Sequence, residues 1–413
     1  MSDKILTKLE ILADAAKYDA SCASGTAGKR AAGKNDSKGI GSLTGGTGIC
    51  HSFTPDGRCV SLLKILMTNN CIYDCHYCIN RRSSNVQRAR FTVQEVVDLT
   101  LNFYKRNYIE GLFLSSGIIR SPDYTMESMV RIAKSLRLDH GFKGYIHLKT
   151  IPNASPELQA EAGLYADRLS INVEMPSQQS LEKFAPEKNL QDIQGAMGKL
   201  KEKITESKHE KKAPRFAPGG QSTQMIIGAD ATHDKDILTS SVNLYKNFQL
   251  RRVYYSAFSP IPDSSVILPI KPAPLMREHR LYQADWLYRF YEFSLEDILA
   301  GTGNNMLELD KDPKLAWALR HRAMFPVDLN MADRHLLLRV PGLGVGSVNK
   351  IISIRRYYAI RWDDLVKMRL PLQKIKPFIS VVDYHPSPMM LEAENLFQRY
   401  LAPTQLDLFA GGQ

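Results

Sequence analysis

The chain has 413 residues, with 54 lysines and arginines against 43 aspartates and glutamates, and a formal charge of +11. Because 44% of the residues are hydrophobic and 23% are charged, the composition excludes a disordered chain and predicts about two folded domains. No apolar stretch reaches the roughly 18 residues that a membrane-spanning helix needs. We therefore expect a cytoplasmic protein with no membrane contact.

The first twenty residues, MSDKILTKLEILADAAKYDA, interleave charged and apolar positions and lack the apolar core of a secretory signal. They predict an amphipathic helix with Ser2 as its N-cap. Residues 21–48 are rich in glycine, serine and lysine without apolar periodicity, which indicates a mobile or ligand-ordered loop. Residues 1–50 therefore form a separate N-terminal segment.

From Val60 onward, short apolar runs alternate with stretches that carry apolar residues at helical spacing. The candidate strands are VSLLKILM, GLFLSS, GYIHLKT, RLSINVE, QMIIGA and RVYYSAF. Strands that alternate with helices in this way predict an α/β fold whose parallel sheet is of the barrel type.

Three cysteines, Cys71, Cys75 and Cys78, follow the first predicted strand directly in a CxxxCxxC arrangement. Three thiolates on one loop can hold three irons of a 4Fe-4S cluster and leave the fourth iron open to a small molecule. Zinc is the alternative, with His76 or a cysteine outside the triad as fourth ligand. The spacing favours the iron–sulfur cluster, because zinc ligands usually come in CxxC pairs.

At this point the sequence resembles the radical S-adenosylmethionine (SAM) superfamily, whose signature places an aromatic residue just before the last cysteine; Tyr77 occupies that position. The resemblance implies that the open iron chelates SAM and that a donor such as flavodoxin or ferredoxin reduces the cluster. Cleavage of SAM then yields a 5′-deoxyadenosyl radical that abstracts hydrogen from a substrate carbon. It also implies a partial (β/α)6 TIM-type barrel, over residues 51–270, with the site at the C-terminal strand ends.

The same resemblance assigns cofactor contacts to the strand ends. The second strand ends where the superfamily often carries GGE-like residues that contact the SAM amino group, but the acidic residue is missing here. The alternative is that these strand-end residues have only structural roles, as a turn glycine, a capping serine or a glutamate paired with arginine. The candidate SAM contacts are Tyr77, Ser115, Ser116, Gly117, Asn172, Glu174 and Gly228.

Two further residues of the third strand, His147 and Lys149, share one face by alternation, so we expect both to point to the rim of the barrel. There they either meet substrate or pair structurally. The remaining cysteines, Cys22, Cys50 and Cys59, are too scattered to indicate a second cluster. They are predicted to be buried or free thiols more than ligands of an auxiliary metal.

Most of the positive charge lies between Asn330 and Lys376, where ten basic and three acidic residues give a balance of +7. Such a segment indicates a nucleic-acid footprint, the alternative being a solvated helical face. Within it, DLNMADRHLLLRVPGLGVGSVNKIISIRR has the layout of a helix-hairpin-helix, with Asn330 as the cap of the first helix. We expect connecting helices at 271–325 and a small all-α hairpin domain at 326–385.

The turn PGLGVG leaves backbone N–H groups exposed beside a helix N-terminus, which suits a phosphate oxygen. Such a module grips the DNA backbone without reading base edges. A hairpin that docks another protein is the alternative. The candidate DNA contacts are Gly342, Gly344, Gly346, Ser347 near the second N-cap, Lys350, Arg355 and Arg356.

The C-terminal segment, residues 386–413, is predicted to be a helix followed by a tail, and the tail contains QLDLF at 405–409. This pentapeptide matches the bacterial sliding-clamp-binding motif. Gln405 would be the polar anchor, and Leu406, Leu408 and Phe409 the apolar plugs around Asp407, on a segment that orders upon docking. The alternative is that these side chains pack on the last helix.

Over nearly its whole length the sequence is similar to a bacterial family of radical SAM proteins that are described as DNA modification or repair proteins. The similarity rests on CIYDCHYCINRRSSN, GLFLSSGI, GYIHLK, ADRLSINVEMP, YYSAFSPIP and the hairpin. It implies a radical SAM enzyme acting on DNA, linked with a partner similar to uracil-DNA glycosylases. Modification of transfer or ribosomal RNA is one alternative, and a non-catalytic iron–sulfur DNA-binding protein, favoured by the missing acidic residue, is another.

Overall fold

The computed structural model describes residues 3–16, 48–53, 58–262, 265–392 and 396. The chain divides into two units. The barrel unit comprises Met1–Thr232 and Ser240–Pro274, and the helical unit comprises His233–Thr239 and Leu275–Gln413. In the part of the chain that the structure describes, no helix is both long and apolar enough to span a membrane.

A curled seven-stranded sheet, whose strands lie side by side in chain order, forms the centre of the barrel unit. All neighbours pair in parallel except the first two strands, which pair antiparallel. The strands are β1 (Ile49–Phe53), β2 (Cys59–Leu66), β3 (Gly111–Ser115), β4 (Tyr145–Lys149), β5 (Arg168–Ser170), β6 (Gln221–Ile227) and β7 (Arg252–Ala257).

The six predicted strands correspond to β2–β7, and the expected α/β class with a partial barrel is confirmed. Strand β1 was not predicted. It adds an antiparallel edge in which Cys50 lies opposite Leu62. The fourth predicted strand is shorter than expected, because regular pairing ends at Ser170 and only an isolated bridge joins Glu174 to Met225.

Helices separate the parallel strands, as the alternating pattern predicts. Their starts follow local chemistry: Thr92 and Glu95 form a capping box, and Ser121 caps a helix whose first residue is Pro122. The helices are α1 (Asp3–Ala16), α2 (Val93–Lys105), α3 (Pro122–Leu138), α4 (Pro156–Tyr165), α5 (Gln178–Phe184), α6 (Leu190–His209) and α7 (Asp234–Phe248). The proposed cap of the first helix, Ser2, lies outside the described residues.

Most buried side chains of β2, β3 and β4 are apolar, whereas β6 begins with four buried polar residues, Gln221, Ser222, Thr223 and Gln224. Leu62, Leu112, Ile146 and Leu169 have no exposed surface. Continuous apolar runs of this kind are typical of parallel strands that are covered on both faces. Polar side chains at the carboxyl ends of the strands line one cavity.

The helical unit contains short helices around an aromatic core. Trp317 packs edge-on against Phe293 at 5.5 Å between ring centroids, and Phe325 packs likewise against Phe378 at 5.0 Å. Its helices are α8 (Leu275–Phe290), α9 (Leu295–Leu299), α10 (Pro313–Arg320), α11 (Arg334–Arg339), α12 (Val345–Ile354), α13 (Trp362–Lys367), α14 (Leu372–Ile375) and α15 (Pro388–Glu392). Two-residue strands β8 (Val327–Asp328) and β9 (Ile379–Ser380) pair in parallel.

Helices α11 and α12, with the turn between them, form a helical hairpin. The prediction that Asn330 caps its first helix is wrong, because α11 begins at Arg334 and Asp333 is its N-cap. The Asn330 amide instead exchanges two hydrogen bonds with the backbone of Ile360. An asparagine side chain offers both a donor and an acceptor, so it can join two backbone segments as well as it can cap a helix.

Candidate active site

The three cysteines of the triad lie on the loop that leaves β2 and line one cavity of about 370 Å³ at the carboxyl ends of the strands. Cys75 is buried, and Cys71 and Cys78 are partly buried. The backbone N–H of Ile118 donates to Cys71 Sγ over 3.4 Å. The loop after β3 therefore touches the cysteine loop directly.

Two side chains hold this cysteine loop in shape. Arg88 donates to the carbonyl oxygens of four of its residues, including Asn80 at 3.0 Å and Arg81 at 2.6 Å. Asn69 donates to Gln87 O and accepts from the backbone N–H of Ala89, both at 2.8 Å. These bonds give backbone groups of the loop hydrogen-bond partners and so stabilise the loop conformation.

The donor set fits an iron–sulfur cluster better than a single ion. Among the described residues, no three histidine, cysteine, aspartate or glutamate side chains are arranged to hold one metal ion. In a 4Fe-4S cluster each thiolate binds a different iron, so the thiols must stand apart from one another. A single zinc ion needs all of its ligands to converge on one point. In the same cavity lining, Ser115 Oγ and Asn80 Oδ1 are buried without a hydrogen-bond partner. Such atoms are those that a bound group would satisfy.

Burial raises the pKa of the Cys75 thiol to about 12 and that of the Cys78 thiol to about 11. Each shift is opposed by the Lys188 ammonium group, which favours the thiolate. Thiolates are the form that binds iron, so ligation releases protons from these sites.

The residues that end β3 have different roles in the cavity. Ser115, Ser116 and Gly117 all line it. A Cβ on Gly117 would lie 2.3 Å from the carbonyl oxygen of Asn70, a distance that side chains do not tolerate. The absence of a side chain at Gly117 is therefore what allows this loop to reach the cysteine loop, where its N–H donates to Thr68 O at 2.7 Å.

A buried polar group follows β5. Asn172 donates to Glu174 Oε2 at 3.4 Å and to Gln224 Oε1 at 3.3 Å. Glu174 Oε1 accepts from Lys188 Nζ at 2.8 Å, and the two side chains are only 10% and 16% exposed. All four side chains of this group line the cavity: Asn172, Glu174, Gln224 and Lys188. They offer a bound molecule hydrogen-bond donors and acceptors, one negative charge and one positive charge.

The backbone of Glu174 is in the left-handed region, with φ +63°. This conformation costs a non-glycine residue about 1–3 kcal/mol. Two hydrogen bonds to β6 maintain it: Glu174 N–H donates to Gln224 O at 3.1 Å, and Ile226 N–H donates to Glu174 O at 2.7 Å. With this backbone conformation, Glu174 lines the cavity.

Lys188 was not predicted from the sequence. It follows the short helix α5 and lies 111 positions from Tyr77, whose hydroxyl is 3.5 Å from Lys188 Nζ. Burial lowers the pKa of Lys188, but the Glu174 carboxylate and the nearby thiols more than compensate and raise it above its ordinary value. No strand-end pattern marks this lysine, so only the folded chain shows that it faces the triad.

Other candidates of the barrel unit are placed differently. Lys149 lines the cavity, as expected, but His147 does not. The His147 ring is buried, packs edge-on against Phe113 at 4.4 Å and hydrogen-bonds Ser170 Oγ at 3.0 Å. Burial, followed by the charge of Arg168, lowers its pKa well below the ordinary value. His147 therefore packs inside the sheet as a neutral side chain.

The remaining candidates of this unit do not reach the cavity. Gly228, with φ +79°, ends β6 but is not among the lining residues. Cys50 packs against the buried cluster that contains Val60, and Cys59 is exposed at the start of β2. Cys22 lies outside the described residues. The structure thus brings Cys50 and Cys59 to one hairpin without bringing either to the triad.

In the helical unit, the glycines of the hairpin differ from one another. Gly342 has φ +86°, whereas Gly344 is the N-cap of α12 with φ −88°. Gly346 and Ser347 are the second and third residues of α12, and a Cβ on Gly346 would meet no atom within 4 Å. No side chain caps α12, so its first N–H groups are open to a ligand.

The basic residues of the hairpin also differ in exposure. Lys350 and Arg356 are exposed. Arg355 donates to the carbonyl oxygens of Leu329 at 3.2 Å and Ala332 at 2.6 Å, so its guanidinium is held by the protein. Arg339 is 5% exposed and pairs with Asp297. The predicted tail motif, Gln405–Phe409, lies outside the described residues.

Comparisons with known proteins place the triad in a family context. Residues 65–210 match the model of the radical SAM superfamily. Members of that superfamily use a 4Fe-4S cluster and SAM. No curated protein matches the chain.

Several solved structures resemble the chain in fold. They include the FeFe-hydrogenase maturase HydG from Carboxydothermus hydrogenoformans, with 14% identity, a TM-score of 0.41 and coverage of 52% of this chain and 48% of that one. For methylornithine synthase (PylB) the identity is 14%, the TM-score 0.41 and the coverage 53% of this chain and 59% of that one. For a radical SAM methyltransferase from Sphaerobacter thermophilus the identity is 12%, the TM-score 0.39 and the coverage 57% of this chain and 69% of that one. The chain spans about half the length of the first structures it matches. At this identity the likeness concerns the fold alone.

Proposed function

Because this chain carries a radical SAM superfamily domain over residues 65–210, we propose that it is a cytoplasmic radical SAM enzyme that repairs or modifies DNA. The observation that supports DNA as substrate is the surface of the hairpin in the helical unit. An uncapped helix N-terminus with an exposed glycine lies there on α12, which also carries the exposed cation Lys350; the exposed cation Arg356 follows two residues after the helix ends at Ile354.

Between Asn330 and Lys376 most of the basic side chains are exposed. Of the ten basic residues between Asn330 and Lys376, six are exposed: Lys350, Arg356, Arg361, Lys367, Arg369 and Lys374. Backbone phosphates release counterions when such side chains neutralise them, and this release supplies most of the affinity for a nucleic-acid strand. The hairpin would thereby hold the DNA by its backbone, leaving base identity to other groups.

The barrel unit supplies the reactive site. A 4Fe-4S cluster on Cys71, Cys75 and Cys78 with bound SAM would supply the 5′-deoxyadenosyl radical that abstracts a substrate hydrogen. Among the chain's own groups, Glu174 and Lys188 present one carboxylate and one ammonium to the cavity, matching the amino and carboxylate groups of an amino acid. The carboxylate of Glu174 thus offers the acidic contact that the sequence lacks after Ser116.

The test is SAM cleavage coupled to DNA. After anaerobic reconstitution and reduction with dithionite, the full chain should form 5′-deoxyadenosine, and Cys71→Ala, Cys75→Ala and Cys78→Ala should each abolish it. DNA deuterated at chosen positions should transfer deuterium into the 5′-deoxyadenosine. Cleavage that survives all three substitutions would contradict the enzyme assignment, and deuterium transfer from RNA but not from DNA would contradict the substrate.

A matched pair of glycine substitutions separates DNA holding from chemistry. Gly346 and Gly195 are both exposed helical glycines whose Cβ would meet nothing within 4 Å. Gly346→Asp places a negative charge at the N-terminus of α12 and should weaken DNA binding at least tenfold while leaving SAM cleavage without DNA intact. Gly195→Asp in α6 should change neither. Equal DNA affinity in the two variants would show that the hairpin does not hold the strand.

We also propose partners for this enzyme. The tail motif QLDLF would bind the bacterial sliding clamp, and a flavodoxin or ferredoxin would supply the electron. A partner similar to uracil-DNA glycosylases would process the same DNA. Loss of clamp binding in a Leu408→Ala, Phe409→Ala double variant, measured with purified clamp, tests the first of these; unchanged binding would contradict it.

A further inference from the structure

A second cavity, of about 600 Å³, lies within the helical unit. Its walls come from the last turn of α8 and from the starts of α11 and α12. Four aromatic residues line it: Trp286, Tyr288, Phe290 and Tyr291. A volume in this range is typical of small-molecule sites. Nothing in the cysteine site uses these residues.

Two of the rings are uncovered. Trp286 and Phe290 are 49% and 47% exposed, and they lie one helical turn apart on α8. Their rings meet edge-to-face with centroids 6.4 Å apart, and both side chains line the cavity. Large aromatic rings on a surface are costly to expose and usually mark a binding site. Partly exposed aromatic rings in a cavity lining can stack with another flat aromatic group.

The charges beside the rings suit a nucleotide. Arg289 lies over the Phe290 ring at 4.8 Å and pairs with Asp285 at 3.4 Å, and Arg334 pairs with Glu292. Arg289, Phe290, Glu292 and Arg334 line the cavity. Guanidinium planes stack on bases and neutralise phosphates. A carboxylate such as Glu292 accepts hydrogen bonds from the amino groups of base edges. The lining therefore offers partners to both the polar edge and the phosphate of a nucleotide.

The cavity adjoins the uncapped start of α12. Val345, the first residue of that helix, is part of the lining. The Tyr291 hydroxyl lies 3.7 Å from the position that a Cβ on Gly344 would take. A phosphate at the open N–H groups of α12 would consequently have its own base within reach of the aromatic rings.

We propose that this cavity binds one unstacked nucleobase of a DNA strand whose phosphate lies at the N-terminus of α12. This inference rests on the proposed action on DNA and deepens it, because it makes the substrate a strand with an unpaired or flipped base. Stacking on Trp286 and Phe290 supplies the added affinity for such a strand over intact duplex. The hairpin amides supply the part that both kinds of DNA share.

The test uses the full chain and oligonucleotides that carry the fluorescent base 2-aminopurine. A gapped duplex with one unpaired base should bind more tightly than the intact duplex and should quench the fluorescence of Trp286. The double variant Trp286→Ala, Phe290→Ala should lose about 5-fold to 100-fold in affinity for the gapped DNA, as expected for lost base stacking. Its affinity for intact duplex should stay unchanged, which also shows that the variant is folded.

Three controls make the result specific. Trp286→Phe keeps an aromatic face and should retain most of the preference. Tyr108→Ala removes an exposed ring that does not line the cavity and should bind like the wild type. Free dAMP at the same base concentration should compete poorly, because it lacks the continuing strand. Competition by free dAMP as strong as that of the gapped DNA would overturn the strand part of the inference.

The inference and the proposed function can fail separately. If the chain binds duplex DNA but the double variant keeps the full preference for gapped DNA, the nucleobase site is wrong while the action on DNA stands. If the wild-type chain binds neither the intact nor the gapped duplex, or prefers structured RNA of equal length, the nucleobase site and the action on DNA are both wrong.

Discussion

Replacing glycine by alanine at two positions of the helical hairpin should change the stability of the helical unit in opposite directions. Gly342 has φ +86°, and a Cβ there would lie 3.1 Å from Ile375 Cγ2 and from Lys374 Cβ. Gly346, four residues later, is helical, and a Cβ there would meet no atom within 4 Å. The same chemical change therefore meets strain at one site and open space at the other.

The magnitudes follow from these two environments. A left-handed backbone costs alanine about 1–2 kcal/mol, and crowding of a packed region adds about 1–3 kcal/mol. Gly342→Ala should therefore destabilise the unit by about 2–5 kcal/mol. Gly346→Ala should stabilise it by about 0.5–1 kcal/mol, because alanine has less backbone freedom to lose on folding.

Tryptophan fluorescence measures this unit selectively. The chain has three tryptophans, Trp286, Trp317 and Trp362, and all lie in the helical unit. In urea, with a slope of about 2 kcal/mol per molar, the midpoint should fall by about 1–2.5 M in Gly342→Ala and rise slightly in Gly346→Ala. Equal midpoints in the two variants would refute the hairpin geometry, as would a loss at Gly346 larger than the loss at Gly342.

Three further predictions concern charges. Lys188→Met should destabilise the barrel unit by about 3–5 kcal/mol because it leaves Glu174 buried without its partner, and adding Glu174→Gln should recover most of the loss; thermal unfolding followed by circular dichroism checks this, and additive effects would refute the coupling. Burial lowers the pKa of Lys314 to about 7, so the unfolded state binds more protons between pH 7 and the ordinary lysine value; stability of the helical unit should rise with pH across that window, and this extra rise should vanish in Lys314→Met, as urea midpoints would show. Lys350→Ala should reduce the salt slope of DNA binding by about 0.9, whereas Arg355→Ala should leave the slope unchanged and lower stability; equal slopes for both variants would contradict the distinction.

Patterns that depend on neighbouring residues were read correctly from the sequence. The six parallel strands follow from continuous apolar runs, and the triad Cys71, Cys75 and Cys78 follows from spacing on one loop. Helix starts with a capping residue in place, such as Thr92, are local in the same sense. Each of these features is decided within a few residues of chain.

Asn330 and Arg355 show where local reasoning ended. Residue type and position predict a helix cap for Asn330 and a DNA contact for Arg355. In the folded chain Asn330 instead bonds the backbone of Ile360, 30 positions away, and Arg355 bonds the backbone of Ala332, 23 positions away. Arg339 belongs to the +7 segment but is buried on Asp297. A formal charge can be counted from the sequence, but its exposure depends on what packs over it.

The sequence alone determined the class of chemistry, because ligand type and spacing lie on one short loop, and it determined the barrel, because strand periodicity is local. Tertiary structure decided which groups face the triad. It paired Lys188 with Glu174 and packed the His147 ring against Phe113. It also placed Trp286 in the same cavity lining as Val345, the first residue of α12. These placements join residues far apart in the chain, and the packing that joins them has no signature in the order of the residues.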